Sequence, residues 1–461
     1  MHIKKNKIND MYSKAINKSI KLNSSIIFAY SQQINSININ DLIDRGEEVT
    51  ENQIYWEQKS KNISFISIGQ ITSLNTDEID KNAINIETNS YLKNMMHLNE
   101  STQISIPTFI GGQNFNIRKE NSNQWSDFPI SYYLVPKILI MNNDGYYSIT
   151  FYYLINPKSA RVDIHNKIFE TLHEISSPKS SKINNKKTTV SNSSYLLDNQ
   201  SLLNKINEAQ SFINNKDLSK IVISNILSYN VKNINYREIL EKLSSNYPNC
   251  SIFFYKLKNK GVFFGASPEM ILKKEADKIL IDALAGTIPS GNTEKEIENN
   301  SNFLYQNLKI NEEHDIVVMG IKKSLSKIGI NSKSSKKEIM KLKNLLHLKT
   351  SISAEVKEEV NILDILDEIT PTPALSGYSK NKSLEKINEL ENFDRGWYAG
   401  PIGWINSNYE SQFYAGLRSA YVNKNKINLF AGAGITLNSN PLEEIKEIDN
   451  KLQAINEIIN E

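Results

Sequence analysis

RGWYAGPIGW (395–404), GLRSA (416–420) and AGAGITLNSNPLEEIKE (431–447) follow one another closely near the end of the sequence. These segments combine an arginine, glycines that let a ligand approach the backbone, and a Glu-x-x-Glu-x-x-x-Lys pattern. On a helix, Glu444, Glu447 and Lys451 would lie on one face. Such a set suits a carboxylate ligand held partly by a metal ion. The same spacing is also that of an ordinary Glu447–Lys451 surface ion pair.

The composition narrows the class of protein. The 461 residues are 39% hydrophobic and 9% aromatic, which is enough for a buried core. The 54 basic and 51 acidic residues are interspersed and give a net charge of only +3, so we expect no nucleic-acid partner. One cysteine, Cys250, excludes an intrachain disulfide and a cysteine zinc cluster. The polar start and the lack of a run of roughly 20 apolar residues predict a cytoplasmic protein without a membrane segment.

The chain divides into three predicted parts. Residues 1–175 are rich in alternating apolar runs, at 62–71, 132–141 and 146–155, and should be mainly β-strand. Residues 176–194 are dominated by Ser, Lys and Asn, and predict a flexible linker or loop. Residues 195–461 mix helical and strand patterns, with helices expected over 311–325 and 355–366 and at the helically spaced Leu202, Ile206, Ala209 and Ile213. No βαβ series is visible, so the prediction is an α+β fold and not a doubly wound one.

Three side chains outside the C-terminal segments are candidates for chemistry. Lys220 precedes an apolar strand, where burial would favour a neutral amine that can act as a base. Glu269 ends GASPE at a strand-to-turn transition and could be a general acid. Glu313 lies on an amphipathic helix from which it could point inward towards a metal. The ordinary alternatives are a strand-end charge for Lys220 and a solvent-facing turn residue for Glu269.

Other familiar sites are missing from the sequence. AGAG is a lone Gly-x-Gly that does not open a dinucleotide-binding unit. There is no P-loop, no His-Glu-x-x-His and no Gly-x-Ser-x-Gly. His347, in HLKTSIS, is more typical of a hydrogen-bonded packing histidine than of a catalyst.

The order of these motifs resembles the chorismate-utilising enzymes. The order is Lys220, GASPE, ALAGT, EEH, HLKT, TPTPALSG, RGWYAGPIGW, GLRSA and AGAGI followed by PLEE. Within that family the chain is most similar to isochorismate synthases, because they have a lysine at the position of Lys220 where anthranilate synthases have a glutamine. Ala374 and Leu375 in TPTPALSG agree with the same subfamily. The resemblance implies two packed antiparallel β-sheets flanked by helices, in one unit despite the linker.

The resemblance also implies a reaction and a site. Water would attack chorismate next to the carboxylate-bearing ring carbon, Lys220 acting as base, and Glu269 would protonate the departing hydroxyl. Mg²⁺ would be held by Glu313 and Glu447, with Glu444 in support. The substrate-binding residues implied are Gly286, Thr287, His347, Tyr398, Arg418, Gly432 and Lys451. Isochorismate would feed menaquinone or siderophore synthesis, with no glutaminase subunit, and the protein would be a monomer or homodimer.

Two alternatives remain open on the sequence alone. A salicylate synthase shares the same groups and goes on to eliminate pyruvate, so only the product distinguishes it. A decayed chorismate-binding protein is the other alternative. It rests on four positions where the chain departs from the family pattern: Asn225, Ser290, Thr370 and Ser379.

Overall fold

The computed structural model describes residues 2–43, 51–76, 80–103, 105–117, 123–176, 187–258, 260–342, 345–357 and 360–460. The helices are α1 His2–Leu22, α2 Lys81–Asn94, α3 Ile164–Ser176, α4 Asn199–Asn214, α5 Tyr236–Asn246, α6 Glu294–Gln306, α7 Leu308–Lys327, α8 Ile362–Ile369, α9 Lys380–Leu390 and α10 Pro441–Asn460.

The strands of the first half are β1 Ile26–Ile34, β2 Gln53–Gln58, β3 Ile63–Ile68, β4 Thr72–Asn75, β5 Met96–Glu100, β6 Pro107–Gln113, β7 Ser131–Val135, β8 Ile138–Asn143, β9 Tyr146–Ile155, β10 Thr189–Tyr195 and β11 Lys220–Asn233. Those of the second half are β12 Ser251–Lys256, β13 Val262–Ser267, β14 Met270–Glu275, β15 Lys278–Pro289, β16 Ser332–Ser334, β17 Glu338–Lys341, β18 Leu345–Glu355, β19 Gly377–Tyr378, β20 Pro401–Asn406, β21 Ser411–Ala415, β22 Ser419–Asn423 and β23 Lys426–Ile435.

The described strands form two large sheets. The first has 13 strands in the order β10-β11-β23-β22-β13-β12-β2-β3-β8-β9-β1-β5, with β19 beside β11. The second has 10 strands in the order β16-β18-β15-β14-β21-β20-β6-β7-β4, with β17 beside β18. Each sheet takes strands from both sides of the predicted linker, so the N-terminal part and the C-terminal region share one fold. The predicted α+β class with two sheets is confirmed.

The two sheets contact each other through aromatic and polar side chains. Trp56 of β2 packs edge-to-face on Tyr414 of β21 with ring centroids 5.6 Å apart. The Tyr255 hydroxyl on β12 donates to the Gly111 carbonyl on β6 at 3.2 Å. Such contacts join strands of different sheets and place the apolar core between them. Among the described residues, no helix is long and apolar enough to cross a membrane.

Two predicted elements differ from the structure. The apolar run 132–141 is two strands, β7 and β8, and these belong to different sheets. Pro136 lies between them, where a residue without an N–H interrupts the ladder. The helix expected over 355–366 begins only at Ile362, because Glu355 is the last residue of β18.

The predicted linker, 176–194, is partly ordered secondary structure. Ser176 ends α3, and β10 pairs antiparallel with β11 from Thr189 to Tyr195. The side chains of β10 are mostly polar and exposed, and their pattern does not indicate a strand. This is why the sequence predicted a linker here. The backbone ladder with β11 supplies the hydrogen bonds that order this edge strand. Residues 177–186 lie outside the described part of the chain.

Two crossings between the sheets set up the candidate site. The chain leaves β13 of the first sheet through Pro268 and Glu269 and enters β14 of the second. It returns from β21 to β22 through Arg418. The crossings bond each other, with Ala266 N donating to Arg418 O at 3.1 Å and Ala415 N to Glu269 O at 3.0 Å. Glu269 and Arg418 are therefore held side by side by backbone hydrogen bonds.

Candidate active site

One pocket gathers almost all the side chains that the sequence singled out. Its empty space is about 820 Å³, including the solvent-filled opening. The predicted site residues that line it are Lys220, Glu269, Gly286, Thr287, Glu313, His347, Tyr398, Arg418, Gly432, Glu447 and Lys451. Glu444 is the one predicted residue outside this lining. The walls are completed by apolar residues such as Val222, Ala374, Leu375 and Phe430.

Lys220 begins β11 and is 1% exposed. Alternation along the strand puts Val222 on the same face, and both line the pocket. The Lys220 Nζ lies 2.9 Å from Glu313 Oε1 on α7. Gly434 of the neighbouring β23 makes room for this pair, because a Cβ there would lie 2.5 Å from Glu313 Oε1 and 2.7 Å from Lys220 Cε. The predicted base and one predicted metal ligand are thus in direct contact.

Glu269 is buried at the crossing from β13 to β14 and is 3% exposed. Burial raises the pKa of Glu269 to about 8, against smaller lowering effects of Thr372 and the charges of Lys220 and Lys451. The Thr372 hydroxyl donates to Glu269 Oε1 at 3.3 Å. A carboxyl group with this pKa is largely protonated at neutral pH and can donate a proton.

The three carboxylates predicted to bind metal each contact a lysine. Besides Glu313 with Lys220, Glu447 Oε1 lies 2.7 Å from Lys451 Nζ. Glu444, which is buried, pairs with Lys309 of α7 at 3.0 Å. Within the described residues no three acidic or histidine side chains converge as a ready-made ligand cluster.

The donor set nevertheless fits a hard divalent cation. Two carboxylates from different helices, Glu313 and Glu447, line the same pocket. Burial and the neighbouring Glu447 raise the pKa of Glu444, which indicates that the two carboxylates repel each other. A cation with oxygen ligands and some bound water would relieve that repulsion.

The cationic part of the pocket is formed by Arg418 and Lys451. Arg418 is 8% exposed, with no carboxylate partner among the described residues. Its guanidinium contacts the Cys250 sulfur at 3.9 Å and the Tyr247 ring at 5.4 Å. Burial lowers the pKa of Lys451, but Glu447, Tyr398 and Glu313 together raise it more, so the amine stays charged. A buried guanidinium without a counter-charge favours an anionic ligand.

A β-bulge brings Gly286, Thr287 and His347 to the pocket wall. The register of β15 against β18 shifts between Ala285 and Thr287, and Gly286 adopts a φ of +79°, which glycine accepts without strain. Thr287 Oγ1 and His347 Nδ1 share a hydrogen bond of 3.0 Å. Burial, followed by the charges of Arg418 and Lys451, lowers the pKa of His347 well below its usual value.

The imidazole of His347 is therefore neutral, and its Nε2 has no hydrogen-bond partner among the described residues. Buried polar atoms are normally paired, so an unpaired one beside a pocket indicates a place for a polar ligand atom.

Several residues with a role around the pocket were not found from the sequence. Thr372 lies in TPTPALSG, a segment noted only for Ala374 and Leu375. Arg395, in the opening segment, does not line the pocket and instead pairs with buried Glu391 at 2.5 Å. In the sequence, Thr372 and Arg395 could be noticed only as polar side chains among apolar neighbours. Only the fold shows which residues they contact.

The four departures from the family pattern lie outside the pocket lining. Asn225 faces away from it, donating to Leu197 O at 2.8 Å and accepting from Leu197 N at 3.0 Å. Thr370 donates to Leu366 O at the end of α8. Ser290 and Ser379 flank β15 and α9 respectively.

Comparisons with known proteins agree on one family. A family model described as chorismate binding enzyme matches residues 14–460. The chain is 26% identical to isochorismate synthase MenF of Bacillus subtilis (strain 168), over 96% of this chain and 95% of the relative. It is 31% identical to isochorismate synthase MenF of Haemophilus influenzae, over 70% and 74% of the two chains. The solved menaquinone-specific isochorismate synthase MenF from Escherichia coli matches 97% of this chain and 100% of its own, with a TM-score of 0.78 and 20% identity.

Proposed function

The chain belongs to the chorismate-binding enzyme family, and on this premise we propose that it is an isochorismate synthase, which isomerises chorismate to isochorismate. The relatives that match over most of their length carry this activity in their names. Isochorismate then serves menaquinone or siderophore synthesis. The observation that carries the proposal is the pocket, lined by a buried acid, a buried lysine, two carboxylates and two cationic side chains.

We assign the proton transfers to Glu269 and Lys220. Glu269, with a pKa of about 8, donates its proton to the ring hydroxyl as that group departs. Lys220 accepts a proton from the attacking water. The Lys220 amine is bonded to Glu313, so it has to leave this pairing in its neutral form before it can act as a base. The reaction is balanced, because one hydroxyl group leaves the ring as another is added from water.

We assign Mg²⁺ as the cofactor and Glu313 and Glu447 as its principal ligands, with Glu444 in support. When bound, the ion supplies positive charge next to the ring carboxylate and withdraws electron density from the ring. The carboxylate oxygens of these residues are ligands that Mg²⁺ prefers.

The remaining lining residues bind and orient the substrate in this proposal. Arg418 and Lys451 hold the enolpyruvyl and ring carboxylates through charge-assisted hydrogen bonds. The neutral His347, whose Nε2 lacks a partner in the described part of the chain, bonds a polar substrate atom together with Thr287. Tyr398 and the backbone at Gly286 and Gly432 complete the proposed substrate-binding site. Val222 and Leu375 exclude water from the apolar side of the ring.

The test is product identification. Purified protein is incubated with chorismate, with and without Mg²⁺, and the products are separated by chromatography and identified by mass and absorbance. We expect Mg²⁺-dependent isochorismate, which has the mass of chorismate, and no pyruvate. Stoichiometric pyruvate with salicylate would assign the protein to salicylate synthases instead, and no product would contradict enzymatic activity altogether.

Thermal melting with and without Mg²⁺ tests the assignment of the metal ligands. Glu447→Gln should lose the thermal stabilisation that Mg²⁺ gives the unmodified protein, because it removes a ligand. Glu443→Gln is the matched control: Glu443 lies one turn before Glu447 on the same helix, α10, and does not line the pocket. Equal Mg²⁺ stabilisation in both variants would contradict the metal assignment.

A further inference from the structure

Strand β11, which carries Lys220, has a discontinuous outer edge. Along its inner edge it pairs with β23 from Ile221 to Asn230. On the outer edge β19 pairs with Lys220 and Ile221, and β10 pairs from Leu227 onwards. Between these two partners a short piece of β11 lacks a neighbouring strand within the described residues.

Two charged side chains occupy this interval. Ser224 N donates to Glu391 Oε1 at 2.8 Å, and Arg395 Nη2 donates to Val222 O at 2.8 Å. The Glu391 carboxylate thus accepts one hydrogen bond from β11, and the Arg395 guanidinium donates another to it. A neighbouring strand would otherwise make both bonds.

Glu391 and Arg395 are also bonded to each other. Arg395 Nε lies 2.8 Å from Glu391 Oε2, and Arg395 Nη2 lies 2.5 Å from Glu391 Oε1. The two side chains are only 2% and 1% exposed, and the guanidinium stacks on the Phe115 ring at 4.3 Å. Removing two charges from water is costly, and apolar residues often fill such a place at least as well. The pair therefore calls for a reason other than stability.

The same guanidinium reaches the wall of the pocket. Arg395 Nη1 donates to Leu375 O at 2.9 Å, and Tyr398 N donates to Arg395 O at 3.0 Å. Leu375 and Tyr398 line the pocket, as do Val222 and Lys220 on β11, whereas Glu391 and Arg395 do not. The guanidinium thus connects two separate segments of the pocket lining, at Val222 and Leu375, and the backbone carbonyl of the same residue holds a third at Tyr398.

We propose that Glu391 and Arg395 are a positioning pair for the reaction, taking the place of a strand on the open edge of β11 and fixing Lys220 relative to Leu375 and Tyr398. The inference rests on the proposed isochorismate synthase function. The planar, rigid fork of arginine is what allows bonds to Glu391, Val222 and Leu375 at once. A lysine has the same charge but offers its three donors from a single nitrogen.

The first test is Arg395→Lys, assayed well below its melting temperature. We expect kcat to fall by about tenfold or more while KM for chorismate changes less than about threefold, because the anionic anchors remain and the base is misplaced. Glu391→Gln is a milder second variant, which keeps an acceptor for Ser224 N and should give an intermediate loss. Unchanged kcat in both folded variants would overturn the proposal.

The matched control is Asp367→Asn. Asp367 forms a half-buried ion pair with Lys81 at 2.7 Å, outside the pocket lining. This variant should lower the melting temperature and leave kcat unchanged. If it lowers kcat as much as Arg395→Lys at the same loss of stability, the effect is general destabilisation and positioning is refuted.

A second readout does not depend on the reaction. Hydrogen exchange at the Ser224 amide should be at least about tenfold faster in Glu391→Gln and Arg395→Lys, and unchanged in Asp367→Asn. If the unmodified protein makes no isochorismate, the proposed function fails while this measurement still tests the anchoring of β11. Unaltered exchange at Ser224 would refute the anchoring.

Discussion

At the scale of single residues, the buried carboxyl group of Glu269 is the feature that costs stability. Its pKa of about 8 means that the folded protein favours the protonated form, because the charged form loses its hydration. Residues of this kind persist where chemistry requires a protonated acid. Neither this pKa nor the neutral state of His347 follows from the sequence, since burial by distant segments causes both.

With Glu269 as the proposed acid, activity and stability should fall together as the pH rises. Between its ordinary pKa of 4.5 and about 8, the native state holds a proton that the unfolded chain releases, so stability decreases with rising pH. Activity should decline as the pH passes about 8, where the acid ionises. Glu269→Gln should be inactive yet melt higher than the unmodified protein at pH 8, with the difference vanishing near pH 4.5. A lower melting temperature for this variant at pH 8 would contradict the buried-acid assignment.

Thr372→Val tests the hydroxyl that contacts the acid. Because the hydrogen bond from Thr372 lowers the pKa of Glu269, its removal should move the alkaline limb of the pH–rate profile to higher pH. Thr370→Val is the matched control, since this hydroxyl bonds Leu366 O outside the pocket. The control should lose about 1 kcal/mol of stability, measured by urea unfolding, with no shift of the limb. If the alkaline limb of the pH–rate profile lies at the same pH in both variants, Thr372 does not act on Glu269.

At the scale of elements, adjacent strands β11 and β23 act as one unit. β11 presents Lys220 to the pocket. β23 runs beside β11, and its small residues leave space for the Lys220–Glu313 pair. The glycines of AGAG are therefore needed because side chains from other elements occupy the space above them, not because the backbone turns there. The sequence identified the glycines, but what fills the space could be seen only in the sheet.

Gly434→Ala should separate activity from stability. The added methyl would lie 2.5 Å from Glu313 Oε1, so the end of this flexible side chain has to move and the base is misplaced. We expect kcat to fall about 100-fold with little change in melting temperature. Gly145→Ala is the opposite case, because the methyl meets nothing within 4 Å but the φ of +85° is strained. That variant should lose about 1 kcal/mol and keep its activity. Retained activity in Gly434→Ala would contradict the arrangement of Lys220 and Glu313.

At the scale of the whole molecule, aromatic packing unites segments that are distant in sequence. Trp125 stacks on Tyr421 with centroids 4.2 Å apart and donates from its indole to Asp394 O at 3.0 Å. Phe128 packs against both Tyr421 and Trp397. These residues come from both sides of 176–194, so the two parts are expected to unfold together.

Trp125→Ala should lower the free energy of unfolding by about 3–5 kcal/mol, because it removes a fully buried indole. Urea unfolding followed by far-UV circular dichroism and by tryptophan fluorescence should give one coincident transition in both proteins. Trp404→Ala, at a half-buried position, should cost less. Two separate transitions in the unmodified protein would show independent domains.

The sequence alone determined the chemistry available and much of the local structure. The alternation of apolar residues predicted β3 and β9, the helical spacing of Leu202, Ile206, Ala209 and Ile213 predicted α4, and the order of motifs predicted the family. These signals are local, because strand and helix periods and side-chain types can be read from neighbouring residues.

Only the tertiary structure decided which residues meet and in what state. It split 132–141 between two sheets, ordered the polar β10 through its ladder with β11, and paired Glu313 with Lys220. The physical reason is that hydrogen-bonded ladders, desolvation and ion pairing act across space between segments far apart in the chain. The sequence therefore supplied the proposed acid, the proposed base and the carboxylates, and the packing of the two sheets against each other determined their contacts and their protonation.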